Sequence, residues 1–266
     1  MPEMPELEVV QRRLGPKLVG RTVEDVIVSP KLGFLLRATT EQLQSLRGRR
    51  VERMWRRGKW LVLDIESAHL VINPMLGGRF QWAGRGEKVM AATVFRLVLD
   101  NGEELRYTDT AKMGRVYLAQ ADDWSSVHGW SEMGPEAAEI GADEFATRIR
   151  RHPGELKNLL RNQAFVAGVG NAYSDEILHD AQLLPLRKRS TLKPDDITRL
   201  HASTQRVLHD AVAAIEAQPE WVSHKQDRSF MKVHMKGGQA CPRCGHRISE
   251  LTAHGEVTDF CRGCQV

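Results

Sequence analysis

The sequence MPEMPELE, residues 1–8, places a proline and an acidic residue at the start of the chain. Initiator methionine is usually removed when a small residue follows it, so we expect a mature chain that begins at Pro2, with Glu3 beside an unblocked secondary amine. An α-amino group titrates near pH ~8, far below lysine, and such amines form Schiff bases with electrophilic carbon. Because a proline iminium has no N–H proton to lose, it stays cationic and acts as an electron sink. The stretch therefore predicts a nucleophile.

The same residues also fit a purely structural role at the start of a helix. Pro5 suits a first helical turn, and acidic residues suit the positive end of the helix dipole. Leu7, Val10 and Leu14 form an apolar stripe at helical spacing. The opening alone leaves both interpretations possible, and motifs elsewhere in the chain decide between them.

Composition indicates an ordinary globular protein. The 266 residues suffice for two or three domains, with 41% hydrophobic and 27% charged residues. No apolar run approaches a membrane span and no signal peptide precedes the first acidic residues, so we expect a cytoplasmic, nucleoid-associated protein with no membrane partner. The formal charge is only +4, but nine Lys/Arg stand against four Asp/Glu between Arg148 and Lys193. That segment fits either a footprint for a polyanion or a solvated basic face.

All four cysteines lie near the end of the chain, which argues against a disulfide framework for the whole protein. They form two Cys-x-x-Cys pairs separated by 16 residues, Cys241 with Cys244 and Cys261 with Cys264. This four-thiolate spacing predicts one structural Zn²⁺ in a zinc ribbon. With every position filled by thiolate, the ion would have no open site for catalysis.

The order of secondary-structure patterns predicts a multidomain α+β fold. A first helix precedes short strands with turn residues between them, which predicts an N-terminal β-sandwich domain over 2–125. The strands are expected at 22–29, 51–55, 60–65, 94–99 and 104–107, the last two joined by an Asn-Gly turn.

Residues 122–136 are interpreted as a linker into helices. A helical domain is expected over 135–220, and the zinc ribbon over 230–266. The helical segments are expected at 137–140, 145–151, 156–162, 172–180 and 195–217.

Two motifs could bind phosphate. In GVGNAYSDE, residues 168–176, two glycines permit tight turns and Asn171 starts the next helix, where exposed N–H groups and an amide side chain can hold an anion. Asn171 could equally be only a helix cap. In RRGKWL, residues 56–61, Lys59 follows a glycine turn and leads into a strand. By itself it could be an ordinary surface charge.

Taken together, these motifs resemble the formamidopyrimidine-DNA glycosylase/endonuclease VIII family of base-excision repair enzymes over nearly the whole chain. PEMPELE is similar to the family's PELPEVE, and RRGKWLVL to its RRGKYLLL. LRYTD (105–109), MGPE (133–136), AGVGNAYSDEIL (167–178) and the zinc ribbon then follow in family order. The resemblance implies a β-sandwich with its first helix, a helix–two-turns–helix domain and a zinc finger. It implies a DNA glycosylase with AP lyase activity on double-stranded DNA, and we expect a monomer.

The resemblance also implies roles for individual residues. Pro2 would attack C1′ of the damaged nucleoside after the base is flipped from the stack, and Glu3 would shuttle protons. Glu6 matches a second acidic position, and Lys59 would grip a phosphate and assist β-elimination. Asn171 would hold another phosphate. The remaining DNA-binding candidates in the basic segment are Lys157, Gly168 and Gly170.

Substrate choice is where the chain departs from the family pattern. Members that excise oxidised purines carry Asp-Pro-Arg-Arg-Phe-Gly, where this chain has DTAKMG, residues 109–114. Ala111 replaces the arginine that reads the orphaned base, and Met113 replaces the aromatic wedge. Leu76 takes the position of the other intercalating residue. Leu76 and Met113 could still act as apolar wedges.

The finger departs too: Glu256 replaces the family arginine that holds a phosphate and assists δ-elimination. Lys236, His254 or Arg262 could compensate. Since the stretch after Pro219 is also short for a loop that caps an oxidised purine, we expect oxidised pyrimidines, formamidopyrimidines or abasic sites as substrates. Two alternatives stay open, an AP lyase or specialised lesion enzyme with weak glycosylase activity and a damaged-DNA-binding protein without turnover.

Overall fold

A computed structural model describes residues 1–120, 123–218, 225–253 and 255–266, which divide into two compact units. Unit 1 comprises Met1–Ser131 with Ile215–Gln226, and unit 2 comprises Glu132–Ala214 with Asp227–Val266. The helical segment and the zinc ribbon therefore share one unit. None of the described helices is long and apolar enough to cross a membrane.

The described residues of unit 1 include two complete α-helices and eight strands. The helices are α1 (Met4–Leu18) and α2 (Thr40–Gln44). The strands are β1 (Val23–Val28), β2 (Val51–Arg57), β3 (Trp60–Ile65), β4 (Ala68–Asn73), β5 (Gly78–Gly84), β6 (Thr93–Leu99), β7 (Glu103–Asp109) and β8 (Arg115–Gln120).

The strands form two four-stranded antiparallel sheets, in the orders β1-β6-β7-β5 and β2-β3-β4-β8. Side chains of both sheets share one hydrophobic core, to which Leu63 and Leu97 contribute from opposite sheets. The apolar stripe of α1 joins this core, with Leu7 and Leu14 almost completely buried. The predicted β-sandwich with an N-terminal helix is confirmed.

The expected strands and the Asn-Gly turn are present with small shifts of their ends, but the sequence did not predict α2, β4, β5 or β8. The expected linker at 122–136 differs more. Its first residue lies outside the described part of the chain. Residues Trp124 and Trp130 pack within unit 1, their rings stacked 4.3 Å apart and next to Trp55. The first part of the segment thus packs within unit 1, and the boundary between the two units falls inside the expected linker, between Ser131 and Glu132.

Unit 2 holds the remaining helices and a two-stranded ribbon. The helices are α3 (Ala142–Arg151), α4 (Leu156–Arg161), α5 (Asn171–Asp180) and α6 (Pro194–Glu216), whose last residues belong to unit 1, and the strands are β9 (Ser249–Ala253) and β10 (Glu256–Phe260). The prediction of a helix at 137–140 is wrong. That segment makes a single turn closed by Ile140 N–H donating to Glu136 O at 3.0 Å, and only Gly141 separates it from the start of α3, so it is too short to form a helix of its own.

Candidate active site and nucleic-acid interface

The N-terminal residues of unit 1 are buried where α1 begins. Pro2 is buried, and Glu3, the residue that caps the helix, is only 1% exposed. The backbone N–H of Glu3 donates to Glu6 Oε2 at 2.9 Å, so the carboxylate three residues along satisfies an amide that the helix leaves open. The start of the chain is therefore held in one conformation with two carboxylates beside it.

Glu6 is fixed from its other side by residues that the sequence gave no reason to select. Gln226 Nε2 donates to Glu6 Oε1 at 2.8 Å, and Gln226 Oε1 accepts from Arg79 Nη2 at 2.9 Å. Arg79, the second residue of β5, also donates to Gly78 O at 2.7 Å. An amide held between a carboxylate and a guanidinium has one favoured orientation, so this chain of contacts orients Glu6.

Lys59 lies in a two-residue turn between β2 and β3, where Arg57 pairs with Trp60. The turn is tied to α1 through Arg56, which is only 5% exposed. Arg56 Nε donates to Glu8 Oε2 at 3.0 Å, and Arg56 Nη1 donates to Gly58 O at 3.1 Å. The helix that carries Pro2 at its start thus also positions the turn that carries Lys59.

The two predicted wedge residues are exposed apolar side chains. Leu76 is 50% exposed and Met113 is 46% exposed, so both side chains are accessible to a partner outside the protein. The loop of Met113 is organised by the buried carboxylate of Asp109, which accepts four backbone N–H groups. The donors are Ala111 (3.0 Å), Lys112 (2.9 Å), Met113 (3.0 Å) and Gly114 (2.6 Å).

The loops that carry Leu76 and Met113 touch each other at Gly77. A Cβ atom at Gly77 would lie 2.4 Å from the backbone nitrogen of Ala111 and 2.6 Å from Asp109 Oδ1. The two wedge loops therefore lie side by side, and only glycine at position 77 permits so close an approach.

In unit 2, the glycine turn before α5 is organised by a residue that the sequence analysis missed, Gln163. Its Oε1 accepts from Gly168 N–H at 3.0 Å, and its Nε2 donates to Val169 O and to Arg161 O, both at 2.8 Å. Gly168 and Gly170 are both buried, and Asn171 is the first residue of α5. Asn171 Nδ2 donates to Val257 O at 3.0 Å, which uses one of the two N–H bonds of its amide.

Lys157 has a different environment from the one expected of a DNA contact. It is 4% exposed, and its Nζ donates to Asp175 Oδ1 at 2.6 Å, Thr258 Oγ1 at 2.8 Å and Val257 O at 3.1 Å. Its positive charge is therefore paired inside unit 2, and its hydrogen bonds hold β10 against α4 and α5. A count of basic residues cannot reveal this, because the acceptors come from distant parts of the chain.

Asp175, His234 and Asp259 form a buried cluster that has the composition of a metal site. Asp175 Oδ2 is already 2.8 Å from His234 Nδ1, and Asp259 Oδ2 accepts from Met235 N–H at 2.7 Å. The ammonium of Lys157 supplies the positive charge that these carboxylates need. We therefore interpret the cluster as an internal ion-pair network.

The four cysteines fit a structural zinc ion. Their sulfur atoms all lie within 4.8 Å of one another, with Sγ–Sγ distances of 3.9 Å for Cys241 and Cys264 and 3.5 Å for Cys244 and Cys261. These distances exceed an S–S bond and approach the ~3.8 Å edge of a tetrahedron with Zn–S bonds of about 2.3 Å. Burial raises the pKa of the Cys264 thiol to about 12, and its sulfur neighbours add to the rise. Because a cation among the sulfurs stabilises thiolate, this set is suited to one structural Zn²⁺.

His179 lies beside the zinc site although its sequence context did not indicate it. Its Nε2 is 3.2 Å from Cys241 Sγ, and burial lowers its pKa to about 4. The imidazole is therefore neutral at pH 7 and can donate from Nε2 to the thiolate, a contact that orients a metal ligand.

Comparison with known proteins was consistent with this architecture. Three domain-family models match in succession: the formamidopyrimidine-DNA glycosylase N-terminal domain over residues 1–116, the formamidopyrimidine-DNA glycosylase H2TH domain over 133–220, and the zinc finger found in FPG and IleRS over 238–266. Together they define a three-domain DNA glycosylase scaffold.

Individual relatives are similar in sequence to this chain over all or nearly all of their length. A formamidopyrimidine-DNA glycosylase from Heliobacterium modesticaldum is 34% identical over 279 residues and 100% of both chains, and one from Chloroflexus aurantiacus is 30% identical over 272 residues, 100% of this chain and 98% of that protein. The structure of Lactococcus lactis Fpg with DNA containing an abasic site aligns with a TM-score of 0.90 at 26% identity over 99% of each chain. The wild-type L. lactis enzyme with N7-benzyl-Fapy-dG DNA gives 0.90 at 27% identity, also over 99% of each chain. The chain belongs to the formamidopyrimidine-DNA glycosylase family, whose members are base-excision repair glycosylases with AP lyase activity.

Proposed function

We propose that this chain removes damaged bases from double-stranded DNA and cleaves the strand at the resulting site, using the imino nitrogen of Pro2 as the nucleophile. The observation that carries the proposal is the buried Pro2–Glu3 pair at the start of α1, held by the contact from Glu3 N–H to Glu6. A proline amine, unblocked once Met1 is removed, and a buried carboxylate beside it supply the nucleophile and the proton carrier that Schiff-base chemistry needs. The initiator Met1 must be removed, because otherwise the Pro2 nitrogen is part of an amide.

The proposed chemistry begins once the damaged nucleotide is flipped out of the duplex. The Pro2 nitrogen attacks C1′, the bond from C1′ to the base breaks, and the sugar ring opens as Glu3 delivers a proton to the ring oxygen. The product is a cationic iminium between Pro2 and the opened sugar. The base leaves with its bonding electrons and takes up a proton, which balances the N–H proton that Pro2 loses on forming the iminium.

The iminium then drives strand cleavage. Its positive charge acidifies the C2′ protons, so a base can remove one of them, and the electrons expel the 3′-phosphate in β-elimination. Water hydrolyses the remaining iminium and releases Pro2. Lys59, held at the turn tied to α1 through Arg56 and Glu8, is proposed to bind a backbone phosphate during these steps. Zinc supplies no chemistry here and stabilises the ribbon.

DNA contacts are proposed from both units. Leu76 and Met113 are proposed to fill the space left by the flipped nucleotide, since both are exposed on adjoining loops. The buried glycines Gly168 and Gly170, with Asn171 at the first turn of α5, are proposed as a phosphate site, because the helix N-terminus attracts anions. A DNA substrate would place the protein at the nucleoid in the cytoplasm, and we propose that it acts as a monomer.

We further propose a lesion range of oxidised pyrimidines, formamidopyrimidines and abasic sites. Ala111 has no side chain that could hydrogen-bond to an orphaned base, and this supports little dependence on the base opposite the lesion. The assignment is tested by comparing strand cleavage of duplexes that contain 8-oxoguanine, thymine glycol or an abasic site. Cleavage of abasic sites alone would favour a specialised lyase.

Borohydride trapping on an abasic duplex tests the proposed nucleophile. Reduction of the Schiff base should give a covalent protein–DNA adduct that is lost in Pro2→Gly and strongly reduced in Glu3→Gln. A damaged-DNA-binding protein without turnover would bind the same duplex tightly and give no adduct. That result would overturn the proposal.

A further inference from the structure

The first residue of the ribbon strand β10, Glu256, forms an ion pair with the last residue of α4. Glu256 Oε1 accepts a hydrogen bond from Arg161 Nη2, and the two side chains are 45% and 26% exposed. A carboxylate at this position would repel a nucleic-acid phosphate, but the pair with Arg161 removes the net negative charge. Because of this pair, Glu256 does not prevent a DNA phosphate from binding at this part of the finger.

Arg161 keeps donors for a second partner. Within the described part of the chain, Glu256 is the acceptor that its guanidinium contacts, and this contact uses only Nη2. Nε and Nη1 have no protein acceptor there. A guanidinium has five N–H donors and binds phosphate oxygens in a fork, so one carboxylate does not exhaust it.

The position of Arg161 is fixed relative to the proposed phosphate site. Gln163 Nε2 donates to Arg161 O and Val169 O, which ties the end of α4 to the glycine turn before Asn171. On the ribbon side, Val257 O accepts from both Asn171 Nδ2 and Lys157 Nζ, so the residue after Glu256 is anchored on α4 and α5. These hydrogen bonds thus hold Arg161 and Asn171 in fixed positions relative to each other.

We infer that Arg161, oriented by Glu256, contacts a DNA backbone phosphate next to the one that Asn171 binds. Glu256 is then a positioning residue, which holds the guanidinium in a single orientation, and the N–H donors that meet the phosphate come from α4. This inference rests on the proposed function, because its ligand is damaged DNA.

Four variants distinguish a phosphate contact from simple shielding of Glu256. Binding is measured to a duplex with a tetrahydrofuran abasic analogue, over a series of salt concentrations. Arg161→Gln should weaken binding roughly 10- to 100-fold and lower the salt slope by about one. Glu256→Gln keeps an amide oxygen that can accept from Arg161 and loses the negative charge, so it should bind as tightly as the unaltered protein or tighter. The double variant R161Q/E256Q should stay as weak as R161Q. The exposed pair Arg85 and Glu24 gives a matched control, R85Q/E24Q, which should leave binding unchanged.

If the double variant binds like the unaltered protein, Arg161 only shields Glu256 and the inference is overturned. A second measurement needs no variant. Phenylglyoxal labelling, read by mass spectrometry, should modify Arg161 in the protein alone and be blocked by the tetrahydrofuran duplex. Equal labelling with and without DNA would also overturn the inference. Because this duplex has no aldehyde, it cannot form a Schiff base, and failure of Arg161 is distinguishable from failure of Pro2, which is tested by trapping.

Discussion

Gln226 and Glu6 are 220 residues apart in the sequence, and a hydrogen bond of 2.8 Å joins Gln226 Nε2 to Glu6 Oε1. Arg79 holds the other end of the same amide at 2.9 Å. A residue far along the chain thus orients a carboxylate next to the proposed nucleophile. Activity should therefore depend on Gln226 although it performs no chemistry.

Gln226→Leu should slow trapping on an abasic duplex by roughly tenfold, because a hydrogen bond to a charged group contributes about 1.5–3 kcal/mol. Gln226→Glu should be slower still, since it places a second carboxylate against Glu6. The measurement is the single-turnover rate of adduct formation, with circular dichroism as the control for folding. A Leu variant as fast as the unaltered protein would show that the orientation of Glu6 does not depend on this amide.

Asp109 should be important for stability as well as for the wedge loop. Its carboxylate accepts N–H groups from residues 111–114, and Asp109→Asn replaces one acceptor oxygen with a donor. Buried N–H groups would lose their partners, so we expect a loss of about 2–4 kcal/mol in the free energy of unfolding of unit 1. Calorimetry should show a fall in Tm on the order of 5–10 °C. An unchanged Tm would mean that the loop is held by other contacts.

The exposed wedges should matter for DNA and not for folding. Leu76→Ala and Met113→Ala should change stability by less than about 0.5 kcal/mol, because both side chains are about half exposed. Both should weaken trapping on a lesion duplex. Tm and trapping measured on the same preparations decide the point, and a large loss of Tm would instead indicate packing roles.

Ala111 offers a gain-of-function test of opposite-base recognition. The unaltered protein should excise a lesion at similar rates whichever base lies opposite. Ala111→Arg should introduce a preference, because position 111 is exposed and an arginine there can reach a base edge without displacing buried atoms. Excision rates against the four opposite bases provide the comparison. A strong preference in the unaltered protein would locate the reading residue elsewhere.

His179 should tune the zinc site without binding the metal. Loss of its contact to Cys241 in His179→Ala should lower zinc affinity roughly 10- to 100-fold, measured by competition with a chelating dye. His201→Ala is the matched control, because His201 bonds to Ile140 O and lies outside the cysteine cluster. Equal zinc affinities in the two variants would mean that the 3.2 Å contact has no effect on the metal.

The sequence predicted best those features that local spacing determines. Four cysteines in two knuckles, the glycine turn before Asn171 and the apolar stripe of α1 each need only neighbouring residues, so their patterns suffice. The missed strand β5, GRFQWAG, lies between glycines and mixes buried with half-buried residues, so its alternation is weak.

Long-range partners could not be predicted in this way. The Lys157 ammonium was expected to contact DNA because its segment is basic. It lies in the interior instead, where it donates hydrogen bonds to Asp175 and Thr258. Likewise, the sequence presented Glu256 as a bare negative charge, and only the fold places Arg161 against it. Such pairings depend on which elements meet in space, which residue counts do not reveal.

The central claim is that the Pro2 nitrogen bonds to C1′ of the damaged nucleotide, and the site of the trapped adduct tests it most directly. An abasic duplex is incubated with the protein, reduced with borohydride and digested, and the modified peptide is sequenced by mass spectrometry. We predict that the sugar remnant lies on an N-terminal peptide that begins at Pro2 and lacks Met1. An adduct on a lysine, or strand cleavage by protein that retains Met1, would contradict the account.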